Sequence, residues 1–425
     1  MARVIVIGAG IMGLAAAYQA QICGHSVEIY EASNEPGGMA AHFDLGGISI
    51  ERFYHFICKT DFPTFDLLKE LGLDHILHFV PTSMGYFMHE KLHRWGDPVS
   101  LLRFPHLTII EKIRYGLLAF AAVNGGAWKS LEHTDAKSWI LKWCGKSGYE
   151  KMWHKLFHYK FYEFAENISA AWIRTRMQRL GRSRRSLMQE ELGYMDGGSE
   201  TLVKALVEKI IHQGGTLHLG KAVSQVKTAD GRVTGVTIGD EFISADAVIS
   251  TMPTPFVPAM VPDLPAEILA RYRDIANIGV VCVVLRLRHK ISPHFWVNIN
   301  EPGIEIPGII EFSNLRPVQD HVVYVPYYMP ITQARWGWED NEFINDALNA
   351  LKRIQPILNA NDVLASHVGR LRYAQPICEP GFAAKLPPVQ TAIAGLQIAD
   401  TCFYYPEDRG LAESIRLGRA MAKAV

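Results

Sequence analysis

The sequence predicts an α/β protein organised around a parallel β-sheet. Three neighbouring patterns indicate this fold class: an apolar, β-branched run at Val4–Ile7, a glycine-rich turn directly after it, and a second strand pattern at Val27–Tyr30. Short apolar runs of this kind are typical of strands that are buried on both faces. Good helix formers at Leu14–Gln21 separate the two runs, and Gly24 marks the end of that helix. The stretch is therefore interpreted as one βαβ unit.

The glycine-rich turn has the G-x-G-x-x-G spacing of a dinucleotide-binding site. Gly8 permits a tight turn, Gly10 lets the backbone approach a pyrophosphate, and Gly13 lets the helix pack closely on the strand. The N–H groups at the start of the helix, at Ile11 and Met12, have no partner within the helix and attract phosphate oxygens. These five residues form the first part of the predicted cofactor site.

An acidic residue ends the second strand. The carboxylate of Glu31 can accept hydrogen bonds from both hydroxyls of a ribose, and its neighbour Ala32 is included in the predicted site. An acid at this position disfavours a bound 2′-phosphate, so NADP is not expected. Strand, helix, strand and acid in register predict a Rossmann-like dinucleotide-binding domain. The alternative is that the glycines belong to an ordinary turn.

A glycine pair, Gly37 and Gly38, follows soon after the acid. Residues without Cβ allow a second close approach of the backbone to the pyrophosphate, although Pro36 before them also fits a simple turn. The stretch resembles the signature of the flavin amine oxidase and protoporphyrinogen oxidase superfamily, and is also similar to phytoene desaturases and UDP-galactopyranose mutase. The resemblance implies FAD rather than NAD as the cofactor. Amine oxidases of this group usually have arginine where this chain has Glu35 and Met39, and Met39 is retained in the predicted site.

The rest of the chain falls into segments of two kinds. Segments 1–80, 193–253 and 374–425 are predicted to form the FAD-binding domain, and segments 81–192 and 254–373 an interleaved α+β substrate domain. The superfamily resemblance implies this interleaving, and it also implies that the backbone of Val223 holds the adenine. Ala247–Ser250 is an apolar strand pattern that leads to Thr251, another predicted cofactor contact.

The C-terminal segment contains the second part of the predicted site. Leu396–Ala399 is a short strand pattern that ends at Asp400, and Gly410 opens a helix with apolar residues at core-facing spacing. In flavoproteins of the resembled type, such an acid reaches the ribityl chain or the pyrophosphate. The N–H groups of Leu411 and Ala412 are expected to point at the flavin edge where negative charge develops during hydride transfer.

Three residues are candidates for catalysis. His55 lies in an aromatic stretch where the superfamily chain returns to the flavin, so it is a candidate proton shuttle, with a satisfied core histidine as the alternative. Tyr405 and Arg409 lie in the loop before the final helix, where the superfamily places residues beside the flavin. Tyr404 is an alternative to Tyr405, and a turn held by an Asp408–Arg409 salt bridge is the competing structural interpretation.

The composition of the chain limits which classes of partner can be expected. Lys+Arg and Asp+Glu both number 43, which gives a formal net charge of zero and no basic excess for nucleic acid. Six scattered cysteines without C-x-x-C or metal-ligand spacing predict free thiols in a reducing cytoplasm and no metal site. No apolar run is long enough for an integral membrane segment. The apolar helix pattern at 107–123, with Lys112 and Arg114, leaves peripheral membrane contact open, although a packed helix is the commoner case.

The sequence thus predicts an FAD-dependent oxidoreductase that transfers a hydride from a small or apolar organic substrate, an amine or an allylic C–H compound, to flavin N5. The aromatic series Trp153, Phe157, Phe161 and Phe164 at helical spacing predicts a helix core, with lining of a substrate cavity as the alternative. A redox-neutral sugar-nucleotide mutase is a second hypothesis. It would need a cationic grip on phosphate, for which the arginine row Arg174, Arg176, Arg179 and Arg182 is available. A non-catalytic binding protein on the same fold is the third.

Overall fold

The computed structural model describes residues 1–425 and contains a five-stranded parallel sheet. The order of its strands across the sheet is Thr216–His218, Ser26–Tyr30, Arg3–Ile7, Ala247–Ser250 and Leu396–Ile398. Every neighbouring pair is parallel, and the central strand carries fully buried apolar side chains. This confirms the predicted α/β fold class with a Rossmann-like sheet.

Layers cover both faces of this sheet. Three helices, Ile11–Ile22, Ser199–His212 and Leu411–Lys423, share one apolar core with one face of the central strands. A three-stranded antiparallel sheet, Val223–Ala229, Arg232–Ile238 and Glu241–Ser244, contributes to the core on the other face. Its first hairpin turns at Asp230 and Gly231, whose φ angles of 49° and 71° suit the tight two-residue turn that twisted strands prefer.

The first helix begins at Ile11, three residues earlier than its best helix formers suggested. Gly13 lies inside this first turn, and a Cβ built on it would stand 1.9 Å from the carbonyl oxygen of Gly8. Because glycine costs a helix only about 1 kcal/mol, the helix starts directly after the glycine-rich turn. The free N–H groups therefore lie next to Gly10, which is where a phosphate would need them.

A second, seven-stranded mixed sheet forms the other large core. Its strands in spatial order are Val363–Pro376, Asn277–Leu287, His321–Met329, Gly308–Glu311, Trp296–Ile299, Met84–Met88 and Lys91–Trp95. The helix Asp340–Ile354 packs on it through Phe343, Ala347 and Leu351. In a smaller three-stranded sheet, Gln189–Met195 is the central strand between Leu77–Thr82 and Arg184–Ser186. His42–Asp44 pairs with Ser49–Glu51 in a two-stranded sheet.

A helical region follows the strand Lys91–Trp95 and precedes the strand Arg184–Ser186. Its helices are Pro98–Arg103, Ile109–Asn124, Ala136–Tyr149, Lys155–Phe161 and Ala170–Arg182. Phe157 and Phe161 are almost fully buried in one apolar cluster with Trp172, and their rings meet edge to face at 5.6 Å. These two residues are helix core, while Trp153 and Phe164 are only partly buried. The remaining helices are Phe62–Glu70, Val257–Met260, Ala266–Arg273 and Phe382–Lys385.

The two short helices after Pro253 pack on the parallel-sheet side of the molecule. Met260 and Tyr272 share an apolar cluster with Val223, Val248 and Ile398. The predicted division into domains placed these helices with the substrate segments, and that division as a whole stays a prediction. None of the helices combines the length and the apolar character needed to cross a bilayer.

Candidate cofactor and active site

The glycine-rich turn and the glycine pair lie against each other. The N–H of Gly37 donates to the carbonyl oxygen of Ala9 at 2.8 Å, and a Cβ built on Gly38 would stand 3.2 Å from the Cα of Gly10. Gly37 and Gly38 have φ angles of 112° and 59°, in the region that favours glycine. The structure thus brings together two parts of the site that the sequence separates, and Met39 is half-buried in the turn Gly38–Ala40.

Gly10 borders open space. A Cβ built on it meets no atom within 4 Å, whereas a Cβ on Gly8 would stand 2.6 Å from the hydroxyl of Thr251. Gly10 has φ −71° and ψ 173°, which any residue adopts, so the backbone conformation does not require glycine here. The space above Gly10, at the N-terminus of the first helix, is a cradle that a larger side chain would fill. It has the position and polarity that a pyrophosphate requires.

Glu31 links the second strand to the glycine-rich turn. Its carboxylate accepts hydrogen bonds from the N–H of Ala9 at 2.7 Å and from the N–H and hydroxyl of Ser33 at 2.9 and 2.8 Å. Since an ionised carboxylate has about four acceptor positions, these contacts leave capacity for a ribose hydroxyl. Ala32 is exposed next to it.

The predicted adenine and strand-end contacts lie at the same edge of the sheet. The N–H of Lys221 donates to the carbonyl oxygen of Glu31 at 2.8 Å, which places Val223, two residues further on, near the acid. The hydroxyl and the N–H of Thr251 both donate to the carbonyl oxygen of Ile7 at 2.9 Å. Thr251 therefore fixes the end of the first strand just before the glycine-rich turn.

Asp400 is buried and has two backbone partners. One carboxylate oxygen accepts from the N–H of Thr254 at 2.7 Å, and the other accepts from the N–H of Cys402 at 2.8 Å. Burial raises the pKa of this carboxyl, and the hydrogen bonds oppose the rise. In the structure Asp400 thus holds together the chain after the fourth strand and the turn Thr401–Tyr404; its predicted contact with the cofactor stays a prediction.

The final helix packs tightly on the first. A Cβ built on Gly418 would stand 2.2 Å from the carbonyl oxygen of Met12, so only glycine allows this approach. Gly410 precedes the helix, and Leu411 and Ala412 are buried in its first turn. The positive end of the final helix is thereby held in a fixed position relative to the glycine cradle.

His55 and Arg409 are both half-buried, and the charge of Arg409 acts on His55. The Nδ1 atom of His55 is buried without a hydrogen-bond partner. Burial lowers the pKa of His55 to about 4; a backbone contact with Phe53 opposes the shift and the positive charge of Arg409 adds to it. The imidazole is therefore neutral at pH 7. The guanidinium of Arg409 donates to the carbonyl oxygen of Ala374.

The side chain of Tyr405 forms its hydrogen bonds with residues other than His55 and Arg409. Its hydroxyl donates to the carboxylate of Glu132 at 2.6 Å and contacts the hydroxyl of Ser169 at 2.8 Å, and its ring packs edge to face on Trp128 and Phe382. Tyr404, the alternative, is buried and pairs with Ser414 of the final helix at 2.8 Å. Neither tyrosine has a hydrogen bond to His55 or Arg409.

Three charged residues lie near Arg409, namely Asp408, Arg176 and Lys160, and of these only Lys160 was missed at the level of sequence. Asp408 pairs with Arg176 at 3.2 Å and not with its neighbour Arg409, contrary to the Asp408–Arg409 turn considered above. Lys160 is only 8% exposed, and its ammonium lies 5.1 Å from the ring centre of Tyr328. Burial and then the charge of Arg176 hold the pKa of Lys160 well below its ordinary value. A lysine within an aromatic helix was the only available signal.

Three buried polar atoms in this region have no partner within the protein: Nδ1 of His55, one terminal nitrogen of Arg176 and one oxygen of Asp408. Unpaired buried polar atoms are rare in native proteins and call for a bound group or water. The open cradle at Gly10 and the end of the final helix would hold an extended cofactor, and these unpaired atoms would offer partners to its polar groups. The residues present are therefore compatible with FAD.

Two of the four arginines in the row required by the mutase hypothesis, Arg176 and Arg179, are paired with acids. Arg179 forms a bidentate pair with Asp61 at 3.0 and 2.6 Å, Arg176 pairs with Asp408, and Arg174 donates to the carbonyl oxygen of Gly125 at 2.5 Å. Arg179 and Arg182 line a polar cavity of about 200 Å³ at the start of the final helix. The carboxyl-bearing residues of that cavity are Asp61, Glu407, Asp408 and Glu413. Acids outnumber arginines there, which does not suit a diphosphate.

Comparisons with known proteins agree with this geometry. The family model of flavin containing amine oxidoreductases matches residues 11–399. A zeta-carotene desaturase of Synechocystis sp. is 27% identical over 296 residues, which cover 61% of this chain and 59% of the relative. A 4,4′-diaponeurosporene oxygenase of Staphylococcus aureus is 26% identical over 284 residues, which cover 59% of this chain and 55% of the relative. The match thus spans less than two thirds of these relatives.

A solved structure of reduced UDP-galactopyranose mutase superposes with a TM-score of 0.77 at 14% identity, covering all of this chain and 95% of that one. At this identity the likeness shows the fold alone. The family match covers most of the sequence and confirms the resemblance inferred from Glu31 and the glycine pair, and with it FAD as the cofactor that members of the family bind. This chain belongs to the family of flavin containing amine oxidoreductases.

Proposed function

We propose that the protein is an FAD-dependent oxidoreductase that removes a hydride from an apolar organic substrate, either an amine or a compound with an allylic C–H bond. The observation that carries the proposal is the charge balance around the arginine row. Arg176 and Arg179 are paired with acids, and the cavity beside them has more acids than arginines, so the region offers little net positive charge for a sugar nucleotide.

The surroundings of the buried charged residues favour the same substrate class. Phe161 and Tyr328 belong to one apolar cluster, against which Phe53 packs. An apolar pocket with a few fixed polar groups is the usual form of a site for a small organic molecule. The names of the two relatives refer to carotenoids, which supports an apolar substrate with allylic C–H bonds.

The protein's own residues have separate tasks in this proposal. The cradle at Gly10 and the acid Glu31 hold the nucleotide half of FAD, and the N-terminus of the final helix stabilises negative charge near the ring. When bound, FAD supplies a two-electron acceptor for the hydride. Neutral His55 can accept a proton from a substrate or pass one on. Oxygen or another acceptor must remove the electrons to complete the cycle.

The test is a visible spectrum of the purified protein followed by anaerobic titration. We expect a yellow protein whose flavin band bleaches on addition of an amine or a polyene. A UDP-sugar that binds tightly and turns over only after dithionite reduction would replace the proposal by the mutase hypothesis. A protein that holds FAD but responds to none of these compounds would favour the binding-protein hypothesis.

A further inference from the structure

The helical region presents an apolar face to solvent. Seven of the large exposed apolar side chains come from its first two helices, Pro98–Arg103 and Ile109–Asn124. Five of them lie on the longer helix, and Ile110 and Phe120 are each 67% exposed. The seven residues, which we call the apolar face, are Val99, Leu102, Ile109, Ile110, Ile113, Leu117 and Phe120.

The exposed side chains share one side of the longer helix. At 3.6 residues per turn, the five positions from Ile109 to Phe120 fall within an arc of about 100°. The opposite side carries Leu118 and Ala122, which are fully buried in the helical core. A box of mutual hydrogen bonds between Thr108 and Glu111 caps the helix start, so the face belongs to a well-formed helix.

Basic residues flank the apolar face on both sides. On the same helical projection, Lys112 lies on one border of the arc and Arg114 on the other. Within residues 98–130 the charged residues are Arg103, Lys112, Arg114, Lys129 and one acid, Glu111. That acid is 11% exposed and paired with Lys151 at 2.9 Å. The net charge of this segment is therefore positive, and its one acid is paired.

A second exposed element lies beside it. The guanidinium of Arg184 donates to the carbonyl oxygens of Gly96 and Leu187, at 3.1 and 3.0 Å. These hydrogen bonds join the tip of the hairpin between Arg184–Ser186 and Gln189–Met195 to the residues just before the helix Pro98–Arg103. At this tip Leu187 is 80% exposed, next to the exposed Arg185. The tip extends the same combination of apolar and basic side chains.

We propose that the apolar face is a docking surface for a lipid bilayer that contains anionic lipids. A helix with an apolar arc between basic borders is the form that lies in the membrane interface, with its apolar side chains among the acyl chains and its cations at the headgroups. A second copy of the chain fits less well, because a two-fold pairing through the face would bring its basic border against itself.

The test is flotation of the purified full chain with vesicles, in the absence of any substrate. We expect binding to phosphatidylcholine vesicles that is strengthened by added phosphatidylglycerol and weakened by salt. The double variant Ile113→Glu/Leu117→Glu should lower the partition constant between solution and vesicles at least about tenfold. Ile211→Glu is the matched control, since Ile211 is 53% exposed on a different helix; it should bind as the unchanged protein does.

Circular dichroism and the flavin spectrum establish that each variant is folded, whatever the result for activity. Protein that stays in solution with both vesicle types would overturn the proposal, as would equal binding of the double variant. A dimer in light scattering that the double variant dissociates, without vesicle binding by the unchanged protein, would assign the face to a second copy instead.

Discussion

Substitution of Gly10 should separate cofactor binding from folding. The backbone of Gly10 has ordinary angles and a Cβ there meets nothing within 4 Å, so Gly10→Ala introduces neither strain nor a clash in the protein. Its effect on the apoprotein should lie between zero and a gain of about 1 kcal/mol, because the unfolded chain loses freedom. In the presence of FAD the added atom occupies the cradle, so binding should fall, and Gly10→Val should abolish it.

The size of the effect follows from linkage. A ligand at 100 times its Kd stabilises the folded state by about 2.7 kcal/mol. The unchanged protein should therefore gain several degrees in Tm when FAD is added, while Gly10→Val should gain none and keep the Tm of the apoprotein. Gly13→Ala is the contrast, because its Cβ would stand 1.9 Å from the oxygen of Gly8 and should lower the Tm of the apoprotein itself.

The assay is differential scanning fluorimetry with and without FAD, combined with the flavin absorbance of the purified variants. Gly10→Val with normal flavin content would show that the pyrophosphate does not occupy the cradle, and the reasoning would fail there. A low Tm of the Gly10→Val apoprotein would instead show that the open space is filled when the protein folds in solution.

Three further predictions concern the interior. Arg409→Ala should keep FAD occupancy but shift the flavin absorption band or its reduction rate. Tyr405→Phe should mainly lower the free energy of unfolding by about 1 kcal/mol, because Glu132 and Ser169 lose a hydrogen-bond partner. The reverse pattern in spectra and melting curves would contradict this. The pKa of His55 is about 4 in the folded protein and near 6.5 in the unfolded chain. Its contribution to the free energy of unfolding, up to about 3 kcal/mol, is therefore present above pH 6.5 and is lost as the pH falls towards 4. In urea unfolding, His55→Gln should lose less stability than the unchanged protein over that range. The pKa of Lys160 is likewise lowered, so the stability of the unchanged protein should rise from pH 7 to higher pH, and a curve of Lys160→Met that is not flatter would refute the assignment.

The backbone geometry of the candidate nucleotide site could be predicted from sequence because its determinants are local, whereas the contacts of its residues with FAD stay a prediction. The glycines of the turn, the strand after them and Glu31 lie within one βαβ unit, and the strand Ala247–Ser250 has the predicted bounds. Periodicity and glycine spacing report the backbone, and the backbone carries out most of the binding of a dinucleotide.

The substrate half could not be predicted in the same way. The pair Asp408–Arg176 joins a loop to a helix far away in sequence, and no spacing rule indicates which of the arginines on that helix it chooses. Tyr405 lies in the loop expected beside the flavin, yet its hydroxyl donates to Glu132 of another segment. Such contacts depend on tertiary packing, which a single sequence does not encode in a local pattern.

The close contact between Gly418 and Met12 has a consequence for biosynthesis. The last helix completes the core around the first βαβ unit, and the strand Leu396–Ile398 is the edge of the same sheet. Pairing between the two ends of a long chain is slow because it closes a very large loop. While the chain emerges from the ribosome, the glycine-rich turn must therefore wait, incompletely covered, until the residues up to Gly418 have been made. We therefore expect FAD to be acquired only after the chain has been synthesised, and the apolar surface of the first βαβ unit to be exposed to aggregation during that interval.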